Sequence, residues 1–118
     1  MPYVDGFIVP VPEGNKDAYI AMASKAAPIF VEYGATHVME TWGNDVPHGK
    51  TTDFFKAVQA EDGENVVFSW VTWPDKATRD AGWAKIMEDE RMKPPAEMPF
   101  SGARMFWGGF EPIVEHKG

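Results

Sequence analysis

The sequence predicts an α+β protein: a ferredoxin-like antiparallel sheet in the order β-α-β-β-α-β, with both helices on one face and the other face packed against a second copy. Three observations lead there. Val66-Val67-Phe68-Ser69-Trp70-Val71-Thr72-Trp73-Pro74 is short, bounded by turn formers and rich in β-branched and aromatic residues, so it reads as a strand. Its two faces, Val67, Ser69, Val71 and Trp73 against Val66, Phe68, Trp70 and Thr72, are both largely apolar, which calls for cover on both sides. The flanking elements follow the split βαβ order, whose two helices cover only one side. The other face, left bare and greasy, is the mark of an interface with a second copy.

Taken in order, Tyr3 to Val11 alternates as a first strand, with Tyr3, Phe7, Val9 and Val11 on one face and Val4, Ile8 and Pro10 on the other. Gly6 within it points to a bulge or a close backbone approach, and Pro10 and Pro12 suit an edge or a strand end. Asn15 is a good helix N-cap, and Tyr19, Met22, Ala23, Ala26, Phe30 and Tyr33 then recur at helical spacing. Pro28 should kink this helix near its last turn, and Gly34 should end it. Ala35 to Gly43 reads as the second strand, with His37, Met39 and Thr41 opposite Val38, Glu40 and Trp42. A loop of turn formers follows, from Asn44 to Lys50.

Asp53 to Ala60, with Phe54, Phe55 and Val58, reads as a further strand or a bent continuation of the second, and Glu61-Asp62-Gly63-Glu64 as a hairpin turn. After Pro74, Asp75 caps a second helix running to about Glu88, whose small residues Ala77, Ala81 and Ala84 are expected to lie close to the sheet. Gly82 lowers its propensity by about 1 kcal/mol relative to alanine. The Pro-rich stretch Asp89 to Gly102 is too apolar for a free linker and should pack down. Arg104 to Val114 is the last strand, with Phe106 and Phe110 opposite Met105 and Trp107, and Gly108-Gly109 is expected to bend it.

A chain of 118 residues fits one domain, residues 1–118, and its 44% hydrophobic content argues for a packed core rather than disorder. A net charge of -7 with scattered Lys and Arg disfavours nucleic acid and anionic membranes. The absence of cysteine removes disulfides, thiolate nucleophiles and thiolate metal sites. No apolar run approaches a membrane span, and the N-terminus lacks the features of a signal peptide, so a cytoplasmic protein is expected.

Several segments also carry a family resemblance. Tyr3-Val4-Asp5-Gly6-Phe7, Trp42-Gly43 with Asp45-Val46-Pro47, Thr52-Asp53-Phe54, Phe68-Ser69-Trp70 and Trp73-Pro74 lie in the first two-thirds. Arg79-Asp80-Ala81-Gly82, Arg91-Met92, Met98-Pro99-Phe100 and Arg104-Met105 with Gly108-Gly109-Phe110 complete them. On these the chain resembles, nearly end to end, the YbaA-like family of small bacterial proteins of unknown function, which are similar in fold to the dimeric α+β barrel superfamily. The resemblance implies a homodimer whose sheets form a barrel; it carries no established activity and no catalytic residues.

The sequence has no glycine-rich phosphate loop, no paired-histidine zinc spacing and no nucleophile elbow around Ser69. No catalytic residue, metal or cofactor is therefore assigned. Glu40 and Asp5 are strand carboxylates that would serve as bases if desolvated; the favoured reading of each is an edge carboxylate in water or one paired with an arginine. His37 fits a proton acceptor, a haem ligand such as the resembled superfamily contains, or an ordinary surface histidine. Trp42, Asp45, Asp53 and Phe54 flank one loop, which Arg91, Phe100 and Arg104 are expected to approach; arginine clamps a carboxylate and aromatics wall a pocket. The structural alternative is a loop pinned by its aspartates, with Arg104 paired to an acid. The expected function is a homodimer binding a small hydrophobic or carboxylate-bearing ligand. The alternatives are a cofactor-independent enzyme, monooxygenase- or isomerase-like, on an aromatic or carbonyl substrate, and third an RNA-associated protein.

Overall fold

The computed structural model describes residues 2–118. In chain order the elements are β1 (Tyr3–Pro12), α1 (Lys16–Glu32), β2 (His37–Trp42), α2 (Phe54–Ala57), β3 (Glu64–Trp73), α3 (Lys76–Glu88) and β4 (Phe106–Phe110), with 3-10 turns at Glu13–Asn15 and Glu90–Met92. The strands form one sheet in the order β2-β3-β1-β4, every neighbouring pair antiparallel. This is the predicted split βαβ arrangement. Among the described residues no helix is long and apolar enough to cross a membrane.

Residues paired across an antiparallel ladder share a face. Tyr3↔Trp73, Asp5↔Val71, Phe7↔Ser69 and Val9↔Val67 look toward the helices. There two clusters form: Val9, Val11, Val67 and Tyr19 with Met22 of α1, and Val71, Trp73, Ala35 and Ile86 with Phe30 of α1. Val4↔Thr72, Gly6↔Trp70 and Ile8↔Phe68 look the other way, beside Met39 of β2 and Phe106 and Phe110 of β4. On this open face Phe68 is 45% exposed, Phe106 47% and Phe110 61%.

The deepest polar group lies on the helix side. Asp5 is completely buried. Its Oδ2 accepts hydrogen bonds from the indole Nε1 of Trp73 (3.0 Å) and of Trp83 (2.8 Å), and its Oδ1 accepts one from Arg79 Nη2 at 2.7 Å. Arg79 lies beside the rings of Tyr3 (5.1 Å) and Trp107 (5.8 Å), and Trp107 stacks on Trp83 and Phe7. The carboxylate thus ties β1 to β3 and α3 at once, and it holds the guanidinium firmly in its charged form.

The structure departs from the sequence reading in several places. Asp53 to Ala60 is not a strand: the Asp53 carboxylate accepts the Lys56 N–H and caps the short helix α2, so local capping overrides the β preference of Phe54, Phe55 and Val58. The last strand is five residues long and is over before Pro112. Asn15 does not cap α1 with its side chain, which instead donates to the Pro99 carbonyl. Ala77, Ala81 and Ala84 face solvent; Gly82 and Ile86 meet the sheet. A Cβ on Gly82 would stand 2.6 Å from the Trp73 ring and 2.8 Å from the Tyr33 carbonyl oxygen. Gly6 makes no bulge, nor do Gly108 and Gly109 break the ladder, because register runs unbroken through all three. Pro10 and Pro12 sit within central β1, beyond Ile8, where its pairing with β4 ends.

Two substitutions test this core. Gly82→Ala should cost about 1–3 kcal/mol through overpacking against Trp73. Asp5→Ala, which strands a guanidinium and two indole N–H groups, should cost about 3–5 kcal/mol. Urea unfolding followed by tryptophan fluorescence measures both; near-neutral values would contradict the packing described.

Candidate functional site

The loop corner predicted from sequence is only partly assembled. Trp42, Asp45 and Phe54 line one small hollow of about 240 Å³ with Thr41, Val66 and Phe68, at the end of β2 where the open face begins. Phe54 meets Phe68 edge-on, ring centroids 6.0 Å apart. Asp53 is committed to structure. Its Oδ2 accepts the Gly49 N–H at 2.8 Å and its Oδ1 the Lys56 N–H at 2.6 Å, and these bonds, Lys56 first, hold its pKa below the usual carboxylate range.

The other predicted members lie elsewhere. Arg104 grips Glu64 with both terminal guanidinium nitrogens (2.6 and 2.7 Å) and reaches the Gln59 carbonyl, so it pins the turn before β3. Phe100 packs edge-on against Tyr19, and Arg91 joins Glu32 and Asp89 on the helix side.

Of the titratable strand residues, Asp5 is the core carboxylate described above. His37 lies on the open face with its ring 6.4 Å from that of Trp70. Glu40 projects toward α1, where its Oε1 accepts a 2.7 Å hydrogen bond from the Tyr19 hydroxyl. Its strand is at the sheet edge and the residue as a whole is exposed, but the carboxyl end is tucked against buried Tyr19. Desolvation raises the Glu40 pKa above its ordinary 4.5, against the opposing pull of hydrogen bonds from Tyr19 and Ser69. Burial and the nearby carboxylate push the Tyr19 phenol up as well.

A larger concavity than this hollow lies on the helix side, away from the predicted loop corner. Residues 91–99 cross the outer side of α1 as a strap. At one end Arg91 Nη2 donates to Glu32 Oε2 (2.5 Å) and to Asp89 Oδ2 (2.7 Å), and the Tyr33 hydroxyl donates to Asp89 as well (2.6 Å). These bonds, Arg91 first, hold Asp89 well below the usual carboxylate range. At the other end Asn15 Nδ2 donates to the Pro99 carbonyl at 3.0 Å, and Pro99 itself is buried. Between strap and helix runs a groove of about 880 Å³, walled chiefly by Ala18, Met22, Ala26, Met92, Pro95 and Met98. The sequence signal was present: an apolar Pro-rich segment that must pack on something, and a helix with alanines on its outer side. Among the described residues no cluster of three or more His, Asp or Glu side chains is placed to hold a metal.

Comparison with known proteins gives a consistent result. The family model described as "Protein of unknown function (DUF1428)" matches residues 2–102. The uncharacterized protein YbaA of Escherichia coli K12 is 57% identical over 116 residues, 98% of this chain and 99% of that one. YbaA of Shigella flexneri matches to the same extent. Among solved structures, a dimeric ferredoxin-like protein from an uncultured marine organism aligns over the full length of both chains with a TM-score of 0.55 at 10% identity, a likeness of fold alone.

The Glu40 environment makes a signed prediction. Because its pKa is raised on folding, its contribution to stability is complete below the unfolded value and is lost as pH climbs through the folded one. Glu40→Gln keeps an oxygen acceptor for Tyr19 and removes the charge. Unfolding free energies measured from about pH 4 to about pH 8 should fall less steeply with pH in the variant than in the parent. Parallel profiles would show that the carboxyl is not desolvated.

Proposed function

The chain belongs to the DUF1428 family of proteins of unknown function, and on that premise we propose that residues 1–118 are one domain of a homodimer, closed through the open sheet faces into an α+β barrel, that binds a small hydrophobic or carboxylate-bearing ligand. The observation that carries the binding function is the groove between α1 and the strap. Its volume, about 880 Å³, lies within the range of small-molecule sites, and its walls are mostly apolar with a few polar groups at the rim. Both ends of the strap are fixed by hydrogen bonds, so the cleft is largely preformed, and a preformed site loses less entropy when it is filled.

The open sheet face supports the dimer. Met39, Phe68, Phe106 and Phe110 are all more than a third exposed on one continuous surface, and a patch of that kind is the mark of a partner. The similar marine protein is itself dimeric. A second reading, a cofactor-independent enzyme on an aromatic or carbonyl substrate, is favoured by one observation: the Glu40 carboxyl, desolvated beside the Tyr19 hydroxyl with its pKa raised above the ordinary value, is suited to act as a base.

Two measurements test this. Sedimentation of the purified protein at micromolar concentration should give twice the mass of one chain, and Phe68→Glu should return it to the mass of one; a parent protein that sediments as a single copy would refute the dimer. A thermal-shift screen against small metabolites should find a stabilising compound, since a ligand at a hundred times its Kd adds about 2.7 kcal/mol. The shift should vanish in Met22→Trp, whose indole fills the groove, and persist in Glu40→Gln; a shift lost only in Glu40→Gln would favour the enzyme.

A further inference from the structure

The groove is not uniform along its length: Lys25 and Glu97 line different parts of it. The strap runs antiparallel to α1, with Arg91 beside Glu32 at the helix's C-terminal end and Pro99 beside Asn15 at its N-terminal end. Lys25 and Ala26 of α1 therefore face the Arg91–Lys93 end, whereas Ala18 and Met22 face Met98 and Pro99. Lys25, Arg91 and Lys93 all line this half of the groove; Glu32 and Asp89 neutralise Arg91 and Glu90 pairs with Lys93, which leaves Lys25 as the cation without an ion pair among the described residues. The anionic side chain on the lining, Glu97, belongs to the other half. We propose that this groove takes a free medium-chain monocarboxylic acid, lying along α1 with its carboxylate toward Lys25 and its alkyl chain toward Met22 and Met98. The proposal deepens the binding function given above and stands on it.

The cations are not equivalent. The Arg91 guanidinium is committed to Glu32 and Asp89, so it fixes the strap and its charge is answered by theirs. Lys93 has a long contact, 3.4 Å, with Glu90 on the solvent side. Lys25 makes no ion pair among the described residues and is the ammonium available to a ligand. One flexible point charge suits a single carboxylate; it lacks the several convergent donors that a phosphate monoester would require. Glu97 repels an anion from the opposite end and so sets the orientation. The apolar run from Ala18 to Ala26 is about 12 Å at the helical rise, enough for a chain of intermediate length. No lipid surface is invoked, because an acidic chain has no broad basic face for one.

Isothermal titration of the full chain with decanoate, 1-decanol and decylammonium, all below their aggregation concentrations, tests both levels. Decanoate should bind more tightly than decanol, and decylammonium least. Lys25→Met should weaken decanoate about three- to fivefold, as expected for a solvent-accessible ion pair, and leave decanol unchanged. Met22→Trp should abolish binding of both. Because that side chain is partly buried, Ala21→Phe on the exposed wall serves as the second block, and both variants are checked for an unchanged circular dichroism spectrum. If decanol matches decanoate, or Lys25→Met changes nothing, the carboxylate assignment is overturned while the groove stands. If no amphiphile binds, or binding survives both blocking variants, the groove itself is not the site.

Discussion

A single buried carboxylate organises this molecule. Asp5 is fully enclosed on the central strand β1, and an uncompensated charge there would be prohibitive. Two indole N–H groups and one guanidinium answer it, one indole from β3 and the others from α3. The position of α3 is therefore set by directional bonds as well as by apolar contact. Gly82 is the steric complement of that arrangement, because the helix lies so close to Trp73 that no side chain fits between. The stack of Phe7, Trp83 and Trp107 then seals the guanidinium from the side.

With α3 and α1 fixed on one face, the remaining features follow. The helices leave the other side of the sheet to Met39, Phe68, Phe106 and Phe110, so the protein exposes an apolar surface there. The chain must also travel from the end of α3 back to β4 across the outside of α1. It does so as the strap, and a proline-rich strap cannot lie flush on a helix lined with alanine. The groove is the space left by that mismatch, and the Asp89–Arg91–Glu32 network at one end and the Asn15–Pro99 bond at the other keep it open.

Much of the fold was legible because strong periodic patterns carry it. The alternation in β1 and β3 gave both faces of the sheet correctly, and Asp75 and Gly34 marked helix ends where the structure has them. Misreadings fell where one local bond outweighed a propensity: Asp53 turned an apparent strand into a helical turn, and Asn15 spent its side chain on the strap rather than on its own helix. The candidate site was harder. Trp42, Asp45 and Phe54 do share a hollow, since they are close in sequence around one loop. Arg91 and Arg104 are held elsewhere by acids that no local pattern names as their partners.

The sequence by itself determined the element order, the two-faced sheet and the surplus of apolar surface on one side, since these depend on residue spacing within a strand or helix. Only the tertiary structure decided which charges pair, where α3 can approach the sheet, and that a groove exists between α1 and the strap. Those features join residues far apart in the chain, such as Asp5 with Arg79 and Asn15 with Pro99, and whether two such groups meet is set by the packing of whole elements, which no local window of sequence encodes.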